Sequence, residues 1–220
     1  MTKTKSKYFI VIIAILAIGC TFWIMPYFLP SKASKPPLSP QEITELRNEY
    51  PVYNGQLAIA SSMPLTFQEI IEGVDSVVIG EVLAELPPYE FILSPLSPGE
   101  TAIQEKKKNE GGEESTEKFV QYEFRVTDII SGYSVEDHIF LSYNAVLKGI
   151  EPDLKPGMKL ILGIIKGKSV HEGKYTFTRY GTYYIVNEHN VLSTFDDEFS
   201  KTMNGQTLDQ FIKIIKSFRS

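Results

Sequence analysis

The stretch Val120-Gln121-Tyr122-Glu123-Phe124-Arg125-Val126-Thr127 places an apolar side chain at every second position and a polar one between. Successive side chains of a strand point to opposite faces, so this period of two predicts a strand with one buried face. The same reading extends outward. Upstream, Ser76 to Leu86 is rich in β-branched residues and is expected to close at Pro87-Pro88. Downstream, strands are expected over Ile139–Tyr143 and over Lys159–Ile165, which follows a turn at Lys155-Pro156-Gly157. Lys174–Tyr180 and Tyr183–Asn187 straddle Gly181, and a short strand over Asn190–Phe195 follows a turn at Glu188-His189. Five or six short strands separated by turns predict a small barrel or sandwich.

Between the first two strands, residues 87–118 carry Lys106-Lys107-Lys108, Gly111-Gly112 and Glu113-Glu114. That composition predicts a flexible, exposed insertion. Helices flank the strands. Ser39-Pro40-Gln41-Glu42, Thr66-Phe67-Gln68-Glu69 and Thr207-Leu208-Asp209-Gln210 each put a hydroxyl at the N-cap and Glu or Gln three residues later. The second presents Phe67, Ile70, Ile71 and Val74 on one face; the third presents Leu208, Phe211, Ile212, Ile215 and Phe218. Both are expected to dock on the core of their own domain.

The N-terminus has a different composition. Residues 1–7 form a basic tail with Lys3, Lys5 and Lys7, and residues 8–29 contain no charged side chain. A helix of 22 residues rises about 33 Å, enough to cross a bilayer core. Tyr8, Trp23 and Tyr27 lie near its ends, where amphipathic rings favour the interface. The lysines predict a cytoplasmic N-terminus, a transmembrane anchor, a linker over residues 30–39, and an extracytoplasmic domain over 40–220. A second reading stays open: Leu16-Ala17-Ile18-Gly19-Cys20 resembles a bacterial lipobox, which would make Cys20 a lipid-attachment site. Span length favours the uncleaved anchor. No small-x-small cleavage site follows the span.

With the three N-terminal lysines set aside, 19 basic and 27 acidic residues remain, a net charge of −8. Such a domain repels phosphate backbones, so no nucleic-acid partner is expected. Cys20 is the single cysteine, which excludes disulfides, a cysteine nucleophile and a thiolate zinc site from the domain. An exported domain without disulfides suits a bacterial cell surface.

Three segments together carry a family resemblance: Asp75-Ser76-Val77-Val78-Ile79-Gly80-Glu81-Val82, Tyr122 through Gly132, and Leu154-Lys155-Pro156-Gly157-Met158-Lys159-Leu160-Ile161-Leu162. Their order resembles the netrin-like and tissue-inhibitor-of-metalloproteinase-like domains, including many from exported bacterial proteins. The resemblance covers about residues 75–186 and implies a mainly β (α+β) fold, an OB-like barrel of five or six strands with flanking helices. It also implies a tendency to bind proteins. The family's inhibitory mode uses a free N-terminal cysteine to chelate a protease's zinc, and this chain lacks that cysteine.

No catalytic signature emerges. Gly163-Ile164-Ile165-Lys166-Gly167-Lys168-Ser169 resembles a phosphate loop with one residue too few, and it leads to a strand where the phosphate cradle needs a helix. It reads as a hairpin turn with exposed lysines. His138, His171 and His189 show no ligand spacing, and Asp196-Asp197-Glu198 lacks the alternation and glycine of a calcium loop. Tyr175, Phe177, Tyr180, Tyr183 and Tyr184 admit two readings, cross-strand packing or an exposed face for a ligand. The expectation is a membrane-tethered binding module without catalysis or cofactor, with an extracytoplasmic protein partner. The alternative is a modulator or inhibitor of an envelope protease or another extracytoplasmic enzyme.

Overall fold

A computed structural model describes residues 35–55, 66–92, 106 and 116–219. The chain divides into two compact units, Met1–Lys35 and Pro36–Ser220. The expected basic tail, the span over 8–29, Cys20 and most of the insertion lie outside the described residues. Among the described residues, no helix is long and apolar enough to cross a membrane.

The domain is a six-stranded, mostly antiparallel sheet with flanking helices. Its elements are α1 (Pro40–Leu46), α2 (Phe67–Gly73), β1 (Ser76–Ile92), β2 (Thr116–Gly132), β3 (His138–Asn144), β4 (Lys159–Lys166), β5 (Lys174–Val186), β6 (Asn190–Ser193), α3 (Glu198–Met203) and α4 (Leu208–Phe218). The strand order is β3-β2-β1-β4-β5-β6, and β3 also pairs with β5 in parallel through Phe140–Lys174, Leu141–Tyr175 and Ser142–Thr176. That last pairing joins the first five strands into a ring.

Two apolar cores follow from the pleat. Val78, Val82, Tyr122, Phe124, Leu141, Leu160, Leu162 and Tyr184 share the enclosed core. Val77, Ile161, Tyr183 and Ile185, which alternate with them, meet Phe67, Ile71, Phe211 and Ile215 of α2 and α4. The first half of β1, the middle of β4 and the second half of β5 are therefore covered on both faces. A strand covered on both faces reads as an unbroken apolar run, as in Leu160-Ile161-Leu162. All three expected capping boxes form, at Ser39, Thr66 and Thr207. Helices α2 and α4 dock on the core as their apolar faces predict.

Four sequence expectations need correction. Strand β1 does not close at Pro87-Pro88; it continues to Ile92, still paired with β2. The register shifts between Leu86 and Tyr89, so the two prolines occupy an irregularity where a missing N–H breaks no ladder bond. The insertion expected over 87–118 is accordingly narrower, since residues 87–92 and 116–118 are strand. The linker expected over 30–39 ends earlier: the Leu38 N–H donates to the Gly205 carbonyl at 2.8 Å and the Asn190 side chain donates to the Pro36 carbonyl. Finally, Lys174 to Val186 is one strand, not two. Leu162 pairs with Thr182 but Ile164 with Phe177, so Thr178–Gly181 bulge out opposite Gly163.

Candidate functional site at the β4–β5 connection

The site is built where β1 opens and β4 ends. The Asp75 N–H donates to the Ile164 carbonyl at 3.0 Å, and its Oδ2 accepts from the Lys166 N–H at 2.7 Å. Asp75 thus caps the end of β4 with its side chain. Its carbonyl accepts from the Tyr133 N–H at 3.2 Å, and Ser76 Oγ donates to the Tyr133 carbonyl at 2.9 Å. Tyr133 is held through its backbone on both sides while 74% of it stays exposed. Gly132 makes the turn possible: its φ is 98°, and a Cβ there would sit 2.2 Å from the Asp75 carbonyl oxygen.

The connection after β4 is equally constrained. The Gly167 N–H donates to the Lys174 carbonyl at 2.8 Å, and residues Ser169–His171 form a 3₁₀ turn. A Cβ on Gly167 would lie 2.2 Å from the His171 carbonyl oxygen, so only glycine permits this approach. Ser169 adopts a left-handed backbone with φ of 55°. On one side of the loop, His171 packs on Phe119 and Phe91, with ring centroids 4.6 and 5.3 Å away. The Tyr89 hydroxyl lies 2.9 Å from His171 Nδ1 and 3.3 Å from Ser142 Oγ, and Lys174 Nζ sits 4.4 Å above the Tyr89 ring. This aromatic cluster pins the loop to β1, β2 and β3.

The other side of the loop opens on a cleft of about 570 Å³, lined by Asp75, Ser76, Tyr133, Lys166, Lys168, Glu172 and Tyr175 among others. The Tyr175 hydroxyl donates to Glu136 Oε2 at 3.0 Å. Burial and then the Glu136 carboxylate push the Tyr175 phenol up to about 12, so it is a neutral donor near pH 7. The Glu136 carboxyl is held low by its own backbone N–H and by that phenol. Lys166, Lys168 and Glu172 form no ion pair with another of the described residues. The cleft therefore offers two ammonium groups, carboxylates and an exposed ring on a fixed backbone.

The aromatic residues singled out in the sequence do not form an exposed face. Tyr175, Phe177, Tyr183 and Tyr184 are buried, because the first two and Tyr184 belong to the enclosed core and Tyr183 to the core under α2 and α4. Only Tyr180 is exposed, at 37%; its ring meets Phe195 edge-on, and its hydroxyl accepts from the Arg179 guanidinium. Of the five, Tyr175 alone lines the cleft. The three histidines sit apart, on β3, in the β4–β5 connection and in the β5–β6 turn. Among the described residues, no group of three His, Cys, Asp or Glu could hold a metal ion. The acidic run 196–198 serves structure, with Asp197 capping α3 through the Ser200 N–H and Glu198 pairing with Lys201.

Sequence reasoning missed Tyr133 and the capping role of Asp75. The usable signal was the Lys166-Gly167-Lys168-Ser169 run, which does form the wall of a site although its backbone cannot cradle a phosphate. Neither a protein-family model nor a curated protein matches this chain.

Proposed function

We propose that the chain is a non-catalytic binding module, tethered to the membrane by residues 8–29 and carrying its β-rich domain outside the cytoplasm. The observation that carries the binding role is the cleft at the β4–β5 connection, where an exposed Tyr133 is fixed by backbone hydrogen bonds on both sides. An exposed aromatic on a backbone already held in place, beside unpaired charged groups, loses less conformational freedom on binding than one on a free loop. In our reading the ring of strands is an OB-like barrel. The order β1-β2-β3-β5-β4, with β3 and β5 parallel, supports that reading and the kinship with netrin-like domains. OB-type barrels bind ligands at the connection between their fourth and fifth strands, which is where this cleft lies. The charge-free length of residues 8–29 and the lysines before it support the tether and its orientation. Zinc chelation by a terminal cysteine is not part of the proposal, since Cys20 is the only cysteine.

A photo-crosslinking residue placed at Tyr133 in the full chain, in native membranes, tests the reading. It is expected to give a discrete adduct, of protein or glycan, that the same probe at exposed Lys213 of α4 does not give. No adduct at Tyr133, or the same adduct at both positions, would overturn the binding role.

A further inference from the structure

We infer that this cleft takes a neutral sugar, with one ring stacked on Tyr133 and its hydroxyl groups bonded to the lysines and carboxylates around it. The inference rests on the cleft being the binding site and names what it binds.

The charge pattern argues first. Lys166 and Lys168 line the cleft together with Asp75 and Glu172, so its lining carries two ammonium groups, two carboxylates and no net charge. An anion would gain from one pair and lose to the other, and a cation likewise. A sugar hydroxyl both donates and accepts, so a polyol can satisfy both pairs at once. In a chain that carries a net charge of −8 beyond its first 30 residues, a balanced lining also selects against polyanions.

Backbone accounting argues against an extended peptide. Peptides that add to a sheet need free N–H and C=O groups along a strand edge. Here Ser76–Glu81 of β1 is paired on both sides, by β2 and β4. The Lys166 N–H is taken by Asp75 and the Gly167 N–H by Lys174. What remains open is side-chain chemistry and an aromatic face. The C–H-rich face of a pyranose packs on a phenol ring, and the ring's hydroxyl edge then reaches the flanking charged groups.

Size and rigidity agree. A volume of about 570 Å³ falls within the range of small-molecule sites and accommodates roughly one or two sugar rings. The loop is set in place before any ligand arrives, by His171 on Phe119 and Phe91 and by the close approach at Gly167.

Saturation-transfer NMR on the full chain in detergent micelles tests this, with maltotriose and triacetylchitotriose as neutral probes and a neutral tetrapeptide as comparison. The expected result is saturation of the ring protons of at least one sugar. Tyr133→Ala, a surface change that leaves both cores intact, should weaken the sugar by about tenfold or more. Lys168→Ala should weaken it less, because one of several polar partners remains on each side. The inference is overturned if neither sugar is saturated, if Tyr133→Ala leaves the signal unchanged, or if only the tetrapeptide binds. A protein adduct from the Tyr133 crosslinker with no sugar binding would sink the sugar and keep the binding module. No adduct and no sugar binding would sink both.

Discussion

Three glycines, at positions 80, 132 and 157, show what the strands and turns of this domain demand of single residues. Gly80 lies where β1 crosses β2, and a Cβ there would sit 2.2 Å from the Arg125 carbonyl oxygen and 2.4 Å from the Phe124 ring. Gly132 and Gly157 both have left-handed backbones, with φ of 98° and 88°. Each answers a backbone demand that suits glycine, and of the three only Gly157 was read from the sequence as a turn residue. Tyr133 was not legible, since nothing about a lone tyrosine after a glycine says that its ring will be exposed and its backbone fixed. Gly80→Ala should cost about 2 kcal/mol or more, because one neighbour is backbone of the paired strand and the other a fully buried ring, and neither can move aside. Gly73→Ala, where an added Cβ meets nothing within 4 Å, should leave stability unchanged or raise it by a few tenths of a kcal/mol. Urea melts of the purified chain read both; similar losses for the two would show that the steric reading of Gly80 is wrong.

At the scale of elements, the starts of capped helices were more legible than the ends of strands, although α3, which opens in the acidic run 196–198, was not foreseen. A capping box is written in four residues, so Ser39, Thr66 and Thr207 announce their helices without tertiary context. Strand ends depend on partners that sequence does not display. The double proline of β1 looks like a stop but falls at a register shift. The break near Gly181 looks like a turn but is a bulge held by long-range bonds. In that bulge, Glu151 Oε2 accepts from the Arg179 N–H at 2.5 Å, and the guanidinium donates to the carbonyls of Tyr53 and Gly55 at 2.9 and 2.6 Å. Thr194 Oγ1 bonds the Arg179 carbonyl at 2.7 Å. The bulge thus fastens the segment after α1 to the sheet. Burial pushes the Glu151 carboxyl above its ordinary 4.5, and the Arg179 amide and charge offset part of that. A carboxyl whose pKa is raised by folding binds protons more readily in the folded chain. Its contribution to stability is present below the ordinary carboxylate value and is lost as pH rises through the raised one. Glu151→Gln keeps an acceptor for the Arg179 N–H and removes that titration. Its stability relative to wild type should therefore improve between pH 4.5 and pH 7, read from urea midpoints at the two values. A difference that stays constant, or that moves against the variant, would contradict this account of the bulge.

At the scale of the whole molecule, alternation in Val120–Thr127 and the strand-sized apolar runs foretold a β-rich domain with flanking helices. A barrel was among the expectations, but the pairing that closes the ring was not read, because β3 and β5 meet in parallel across a long stretch of chain. The same closure misled the search for a site. It carries four of the five β5 aromatics into the two cores, while the cleft lies at the loop ends, where Asp75, Tyr133 and the lysines converge from separate segments. A period of two reveals which residues share a face, but not whether that face will be covered. The proposed tether is the complementary case, a length-and-charge signal that stands by itself in residues 1–29. Both parts of the proposal meet in one measurement. A Tyr133→Cys chain in a Cys20→Ser background is treated in intact cells with a membrane-impermeant maleimide. The account predicts membrane-bound chain labelled as fully in intact cells as after lysis, and the contrary result, labelling only once the membrane is broken, would place the cleft in the cytoplasm.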